Sequence, residues 1–171
     1  MEIKTYGDPV LRGVIPPLTS HLEVHPFIQD MIETMYDDDG IGLSANQVGL
    51  RMRFFVIGAS AFDDDRGDTV FINPMVLESS DEHSDFDEGC LSVPGIRDTV
   101  SRPHTIKVKY LDTQGAEHVE EFTDLPARVF QHEFDHLEGI FFVERLSPIR
   151  KSRHKRKLKA LLKSHSFLIK V

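Results

Sequence analysis

The feature that most constrains this chain is the stretch 131–136, which reads Gln-His-Glu-Phe-Asp-His. Residues four apart lie one above the other on a helix, so His132 and His136 can present imidazole nitrogens to one metal ion. Glu133 lies beside them, where a carboxylate can accept the proton of a metal-bound water molecule. The sequence therefore predicts a helix that carries the metal-dependent site of a hydrolase.

The motif helix has predicted ends. Thr123 or Asp124 can cap it, Pro126 fits its first turn, and Gly139 is a natural stop. Upstream of the helix, residues 105–111 alternate between apolar and polar side chains. A turn sequence and a second strand over residues 117–122 follow, which predicts a β-hairpin.

The rest of the chain predicts further strands and two more helices. A helix with Pro26 in its first turn is expected to carry an apolar stripe, and another begins at Ser147 and Pro148. Strands are expected over residues 53–57, 70–72 and 76–79. Because most strands precede the motif helix, we predict an α+β fold with antiparallel sheets packed around a central helix carrying H-E-x-x-H.

Charge is distributed unevenly along the 171 residues. The net charge is −8, yet all 28 acidic residues precede position 150, and nine of the 20 Lys and Arg residues lie at or after it. We therefore predict one catalytic domain over residues 1–149 and a basic C-terminal helix or tail over residues 150–171. A single cysteine, the lack of a signal-like amino terminus and the lack of a membrane-length apolar run predict a cytoplasmic protein.

A catalytic metal site needs a third protein ligand and one open position. Cys90, the only thiol, lies in the segment Glu-Gly-Cys-Leu-Ser, and Gly89 before it allows close backbone approach. A third segment, 40–47, is a glycine-rich turn that ends in the amide side chain of Gln47.

These three segments together resemble the peptide deformylases, whose patterns are G-x-G-L-A-A-x-Q, E-G-C-L-S and Q-H-E-x-D-H. Ser44 stands where the first alanine is usual, and the resemblance spans residues 1 to about 147. It implies that Cys90, His132 and His136 bind the metal. It further implies that Glu133 is the catalytic acid and base, and that the Gln47 side chain and the Leu91 backbone N–H bind the developing oxyanion.

The implied reaction removes formate from N-formyl-methionine at the start of nascent chains, through attack by metal-bound hydroxide. The resemblance implies Fe²⁺ as the physiological metal, often replaced by Zn²⁺ or Ni²⁺, and Co²⁺ is also compatible with these donors. An extended peptide is expected to bind along the backbone near Ile41–Gly42 and Gly89–Leu91. The predicted methionine pocket is lined by Glu88, Leu125, Val129 and His132. No role is assigned to Arg128, which could edge this pocket or point to water.

Two other functions share parts of this pattern. A zincin-type endopeptidase also uses H-E-x-x-H, but it usually takes its third ligand downstream of the helix. A non-catalytic ribosome-binding module could keep a structural metal, but such sites are closed by four protein ligands. The basic tail is either a solvated surface helix or a surface that docks on ribosomal RNA, and no membrane partner is expected.

Overall fold

A computed structural model describes the backbone of residues 1–168 and the side chains of residues 1–163. The last three residues of the predicted tail, 169–171, lie outside this part. The strands in chain order are Gly42–Ser44 (β1), Phe54–Ile57 (β2), Thr69–Ser79 (β3), His83–Gly89 (β4), Arg97–Pro103 (β5), Thr105–Leu111 (β6) and Glu117–Thr123 (β7). The α-helices are Ile28–Asp37 (α1), Asp124–Leu137 (α2), Phe142–Arg145 (α3) and Pro148–Leu168 (α4).

Two antiparallel sheets surround α2, which confirms the predicted α+β class. The larger sheet has the order β1-β2-β3-β6-β7, and β4 pairs with β5 in a separate hairpin. All five strand pairings found among the described residues are antiparallel. The central position of α2 places its two faces against different parts of the molecule.

One face of α2 packs on the larger sheet through aromatic rings. Phe130 of α2 meets Phe55 of β2 at 5.0 Å and Phe71 of β3 at 5.3 Å between ring centroids, both edge to face. All three side chains are fully buried. Burial of each such ring contributes about 1.5–3 kcal/mol, so this contact fixes α2 against the sheet.

The opposite face of α2 meets the β4–β5 hairpin and α3. A second apolar cluster there includes Val100 of β5 and Phe142 of α3, and it also contains Leu158 of α4. The rings of Phe141 and Phe142 lie beside the two motif histidines. The predicted metal-binding motif therefore lies between two packed layers.

Several predicted elements are confirmed, and others are wrong. The β6–β7 hairpin, the start of α4 at Pro148 and the strand at β2 agree with the structure. Residues 70–72 and 76–79, predicted as two strands, belong to one strand, β3. Its pairing with β6 shifts in register between Ile72 and Met75, where Asn73 has a φ of 49°. Its side chain binds the backbone of Leu18 on both sides, at 2.7 Å and 3.0 Å.

Local signals failed at three other places. β4 and β5 were not predicted, because their sequences are largely polar and gain strand structure only by pairing with each other. Pro26 lies in a 3₁₀-helix, His21–Phe27, that precedes α1, so it does not occupy the first turn of an α-helix. Thr123 is the N-cap residue of α2, but neither it nor Asp124 makes the expected side-chain cap.

The basic helix α4 contacts the body of the protein. Asp98 at β5 accepts hydrogen bonds from Arg150 and from His154, the latter at 2.7 Å. Leu158 is buried, and α4 continues through position 150 without a break. The division at residue 149 stays a prediction. In the part of the chain that the structure describes, no helix has the length and apolar character needed to cross a membrane.

Candidate metal centre and active-site cleft

Three side chains that are distant in sequence offer metal-ligating atoms in one place. Cys90 Sγ and ring nitrogens of His132 and His136 all lie within 4.8 Å of one another. His136 Nε2 is 3.2 Å from Cys90 Sγ. The helix α2 supplies both histidines from one face, and Cys90 follows the last residue of β4, so the helix and the hairpin must dock before the three atoms can meet.

Neighbouring groups fix the orientation of both imidazoles. His132 Nδ1 is 2.9 Å from Glu88 Oε2, and its other nitrogen is left to face Cys90. The His132 ring stacks on Phe142, and the His136 ring meets Phe141 edge to face. A carboxylate on the far nitrogen of a histidine is the usual way in which proteins orient a metal-binding imidazole.

Glu88 is the hub of a buried ionic network. Its two oxygens accept from Arg102 at 2.7 Å and 2.9 Å, from Arg128 at 2.8 Å, and from His132. Burial alone would raise the pKa of Glu88, but the hydrogen bonds from His132 and Arg102 and the charge of Arg102 hold the pKa well below its usual value. Glu88 is therefore an anion that orients the His132 ring, and it also lines the cleft.

Arg128, which the sequence left open, does not point to water. Arg128 is 4% exposed. Its guanidinium donates hydrogen bonds to Glu88 and to the carbonyl oxygens of Ser84 and Val100. The same group lies over the Phe86 ring, 4.8 Å from the ring centroid. It also lines the cleft. The alternative that Arg128 points to water is therefore wrong, and its place at the edge of a methionine pocket stays a prediction.

Arg102 was missed by the sequence analysis, and no local signal marks it. It joins Glu88 to Asp135, whose carboxylate accepts from Arg102 at 2.6 Å and from Arg145. Arg102 and Asp135 are almost fully buried. The network thus ties β4, β5, α2 and α3 together behind the metal-ligating atoms.

A cleft of about 590 Å³ opens in front of these atoms. The predicted substrate-contacting residues all lie along it, namely Ile41, Gly42, Glu88, Gly89, Leu125 and Val129. Gln47, Leu91 and Glu133 also line it. Further lining residues that were not predicted are Asp38, Asp39, Phe86, Asp87, Val93, Ile96 and Arg97.

Glu133 is buried beside the metal-ligating atoms with one oxygen free of protein partners. Its Oε2 and His136 Nδ1 are the buried side-chain polar atoms without a hydrogen-bond partner among the described residues. Burial raises the pKa of Glu133 to about 7, although the nearby His132 acts in the opposite direction. A Cβ at Gly42 would lie 2.8 Å from Glu133 Oε1, so only glycine allows β1 to approach this carboxylate.

Gln47 points its amide nitrogen toward the same place. Its Nε2 lies 3.6 Å from Cys90 Sγ and 3.2 Å from Ser92 Oγ, and its side chain is 2% exposed. Its Oε1 accepts from the backbone N–H of Ser44 at 2.9 Å. The expected turn over residues 40–47 is in fact β1 followed by a 3₁₀-helix, Ala45–Val48.

The pKa values of the two imidazoles are shifted in opposite directions. Burial lowers the pKa of His136 well below its usual value, and the charge of His132 adds to this, so the ring is neutral as a ligand must be. Burial alone would lower the pKa of His132 too, but Cys90 and Glu88 hold a proton on the ring and raise its pKa to about 10. A divalent cation would take the place of that proton between sulfur and nitrogen.

Comparisons with known proteins agree on one family. The sequence model of the family described as polypeptide deformylase matches residues 1–152. A peptide deformylase of Cytophaga hutchinsonii is 47% identical over 160 residues, which cover 91% of this chain and 87% of that protein. The crystal structure of a Plasmodium falciparum peptide deformylase has a TM-score of 0.92 at 33% identity, covering 99% of this chain and 100% of that one. The crystal structure of Arabidopsis thaliana peptide deformylase 1B with an inhibitor has a TM-score of 0.92 at 37% identity, covering 100% and 95%.

Proposed function

This chain belongs to the polypeptide deformylase family, and from that premise we propose that it removes the formyl group from N-formyl-methionine at the amino terminus of newly made polypeptides. It is an enzyme with deformylase activity. The observation that carries the proposal is the meeting of Cys90, His132 and His136 at the floor of a cleft that also holds the unpartnered carboxylate oxygen of Glu133.

Cys90, His132 and His136 would hold one divalent cation. A thiolate and two imidazoles suit Fe²⁺, which we propose as the physiological metal, and they also suit Zn²⁺, Ni²⁺ or Co²⁺. When bound, such a cation supplies Lewis-acid chemistry, which polarises the formyl group and makes a water molecule more acidic. Glu88 keeps the His132 ring oriented toward it.

Glu133 is proposed to move the proton. A carboxyl group with a pKa near neutrality can take a proton from water and later give it to the departing amine. Support for this comes from its burial within the cleft and from its unpartnered Oε2.

Gln47 and Leu91 are proposed to hold the negative charge that develops on the formyl oxygen. Gln47 Nε2 lies 3.6 Å from Cys90 Sγ, and Gln47 and Leu91, the residue after Cys90, both line the cleft. Loss of one such donor lowers kcat about 100- to 1,000-fold in other enzymes. The peptide would lie extended along Ile41–Gly42 and Gly89, with its methionine side chain against Leu125, Val129 and the stem of Glu88.

The experiment is formate release from a formyl-Met dipeptide by the metal-loaded enzyme. Addition of a chelator is expected to stop release, and Glu133→Gln is expected to stop it while metal remains bound. The same peptide without the formyl group should stay intact, since its cleavage would favour the endopeptidase alternative. Failure to release formate, with both peptides left intact, would favour the alternative of a metal-stabilised binding module.

We further propose that α4 docks on the ribosome, which would place the enzyme in the cytoplasm beside its nascent-chain substrates. Arg150 and His154 are engaged by Asp98, but a set of cationic side chains on α4 is exposed, namely Lys151, Arg153, Lys155, Arg156, Lys159 and Lys163. Such a concentration of positive charge favours contact with phosphate. The test is binding to ribosomes by the full-length protein and by a variant that lacks residues 150–171. Equal binding by the two proteins would overturn this proposal.

A further inference from the structure

Ser44 lies between two buried amide side chains, those of Asn46 and Gln47. Its hydroxyl Oγ is 2.8 Å from Gln47 Oε1 and 3.0 Å from Asn46 Oδ1. Ser44 is completely buried, and Asn46 and Gln47 are at most 2% exposed. A serine hydroxyl has a single hydrogen, and here it lies between two carbonyl-type oxygens.

Both amides are consequently turned the same way with respect to Ser44. Each presents its oxygen to the hydroxyl, so each must direct its NH₂ group away from it. Asn46 Nδ2 donates to the backbone oxygen of His136 at 2.6 Å, and Gln47 Nε2 points toward Cys90 Sγ and Ser92 Oγ. The single hydrogen of the hydroxyl can be donated to only one of the two oxygens, and Gln47 Oε1 is the nearer of them.

We propose that Ser44 is a positioning residue for deformylation, whose hydroxyl fixes and polarises the Gln47 amide so that Nε2 stays aimed at the formyl oxygen. The inference rests on the proposed role of Gln47. A hydrogen bond accepted at Oε1 withdraws electron density from the amide, which strengthens donation by Nε2, and such coupled hydrogen bonds reinforce one another in a buried site. Because Ser44 N–H also donates to Oε1 at 2.9 Å, removal of the hydroxyl loosens the amide without releasing it.

The structural alternative is that Ser44 only helps to end β1 and begin the 3₁₀-helix Ala45–Val48. The spacing Ser44-x-x-Gln47 forms a capping box, in which the Gln47 side chain reaches back to the Ser44 N–H. A cap contributes to stability but does not distinguish the transition state from the bound substrate. Kinetics can therefore separate the two roles.

The test is a double-mutant cycle on the metal-loaded, full-length enzyme with a formyl-Met dipeptide. Ser44→Ala is expected to lower kcat about three- to tenfold with KM unchanged, the effect of one hydrogen bond. In a Gln47→Ala background the same change is expected to have no further effect on kcat. Ser44→Cys, which keeps the volume but has a weak donor, should resemble Ser44→Ala and is the variant to use if the alanine protein folds poorly.

Thr34→Val is the matched control, because Thr34 is a buried hydroxyl in α1, away from the cleft. It is expected to lower the melting temperature and leave kcat unchanged.

Metal content should be equal in all variants, since a loss of metal would mean that Ser44 acts through Asn46 and His136. The inference about Ser44 would be overturned by an unchanged kcat in Ser44→Ala, or by an equal loss of kcat in the wild-type and Gln47→Ala backgrounds. Neither result would affect the proposed role of Gln47. A silent Gln47→Ala would overturn the proposed role of Gln47 as well, and so distinguishes the two failures.

Discussion

Replacement of Glu88 by glutamine is expected to destabilise the whole protein and to weaken its hold on the metal. The carboxylate accepts four hydrogen bonds, three from the guanidinium groups of Arg102 and Arg128 and one from His132. Side chains of both arginines are about 95% buried. Glutamine has a similar shape, but it lacks the negative charge, and its NH₂ group would face donors.

The magnitude follows from the burial of the two cations. Removal of one partner from a buried ion pair leaves an uncompensated charge and costs about 3–5 kcal/mol. At about 2–4 °C per kcal/mol for a chain of this size, the melting temperature should fall by roughly 6–20 °C. His132 loses its orienting carboxylate at the same time, so metal affinity should fall about 10- to 100-fold.

The assay is thermal unfolding of the metal-free and metal-loaded proteins, together with chelator competition for the metal. Asp87→Asn is the matched control, because the neighbouring residue Asp87 pairs with Arg97 at 3.1 Å with both side chains more than 60% exposed. Such a surface pair contributes about 0–1 kcal/mol, so the melting temperature should fall by less than about 4 °C.

The pH dependence gives a second check on the same reasoning. The folded-state pKa of Glu88 lies below the unfolded value of about 4.3, so its contribution is complete above that pH and is lost as pH falls through the folded value. Glu88 itself therefore adds no pH dependence between about pH 6 and 8, but it also helps to raise the pKa of His132 to about 10. That contribution is complete below the unfolded His pKa of about 6.5 and is lost as pH rises, so the stability difference between metal-free wild type and Glu88→Gln should decrease from pH 6 to pH 8. Equal loss of stability in Glu88→Gln and Asp87→Asn would refute the account of a buried anionic hub.

Three further outcomes are expected. Glu133→Gln should lower kcat at least about 100-fold without loss of bound metal, and retained turnover would remove Glu133 from proton transfer. Arg128→Lys should lower the melting temperature despite its conserved charge, because an ammonium cannot reach Glu88 and two backbone oxygens together; an unchanged value would contradict this. Iron-loaded protein should lose formate release in air, by oxidation of the metal or of Cys90, whereas equal activity after aerobic and anaerobic preparation would argue against a ferrous thiolate site.

Much of the chemistry was readable from short segments of sequence. The spacing of His132 and His136 on one helix is a local property, since helical periodicity alone brings residues four apart together. The β6–β7 hairpin follows in the same way from alternation and a turn. Cys90 was a candidate ligand as the only thiol, and the family resemblance joined it and Gln47 to α2, which no local rule does.

The network behind the metal-ligating atoms was not readable in this way. Arg102 and Arg128 are ordinary charged residues in sequence, and charged residues are mostly exposed. They are buried here because Glu88 and Asp135 arrive from other elements to neutralise them. The strands β4 and β5 were missed for a related reason, since polar segments become strands only when a partner strand completes their hydrogen bonds.

The sequence by itself determined which atoms could bind a cation and which helix would present two of them, because these depend on residue type and on near-neighbour geometry. The tertiary structure decided how close the sulfur comes to the imidazoles, which way the amides turn, and that α4 rests against Asp98. Each of these depends on contacts between residues far apart in the chain. Such contacts form only when burial of the shared core brings the elements together, and a linear pattern does not specify them.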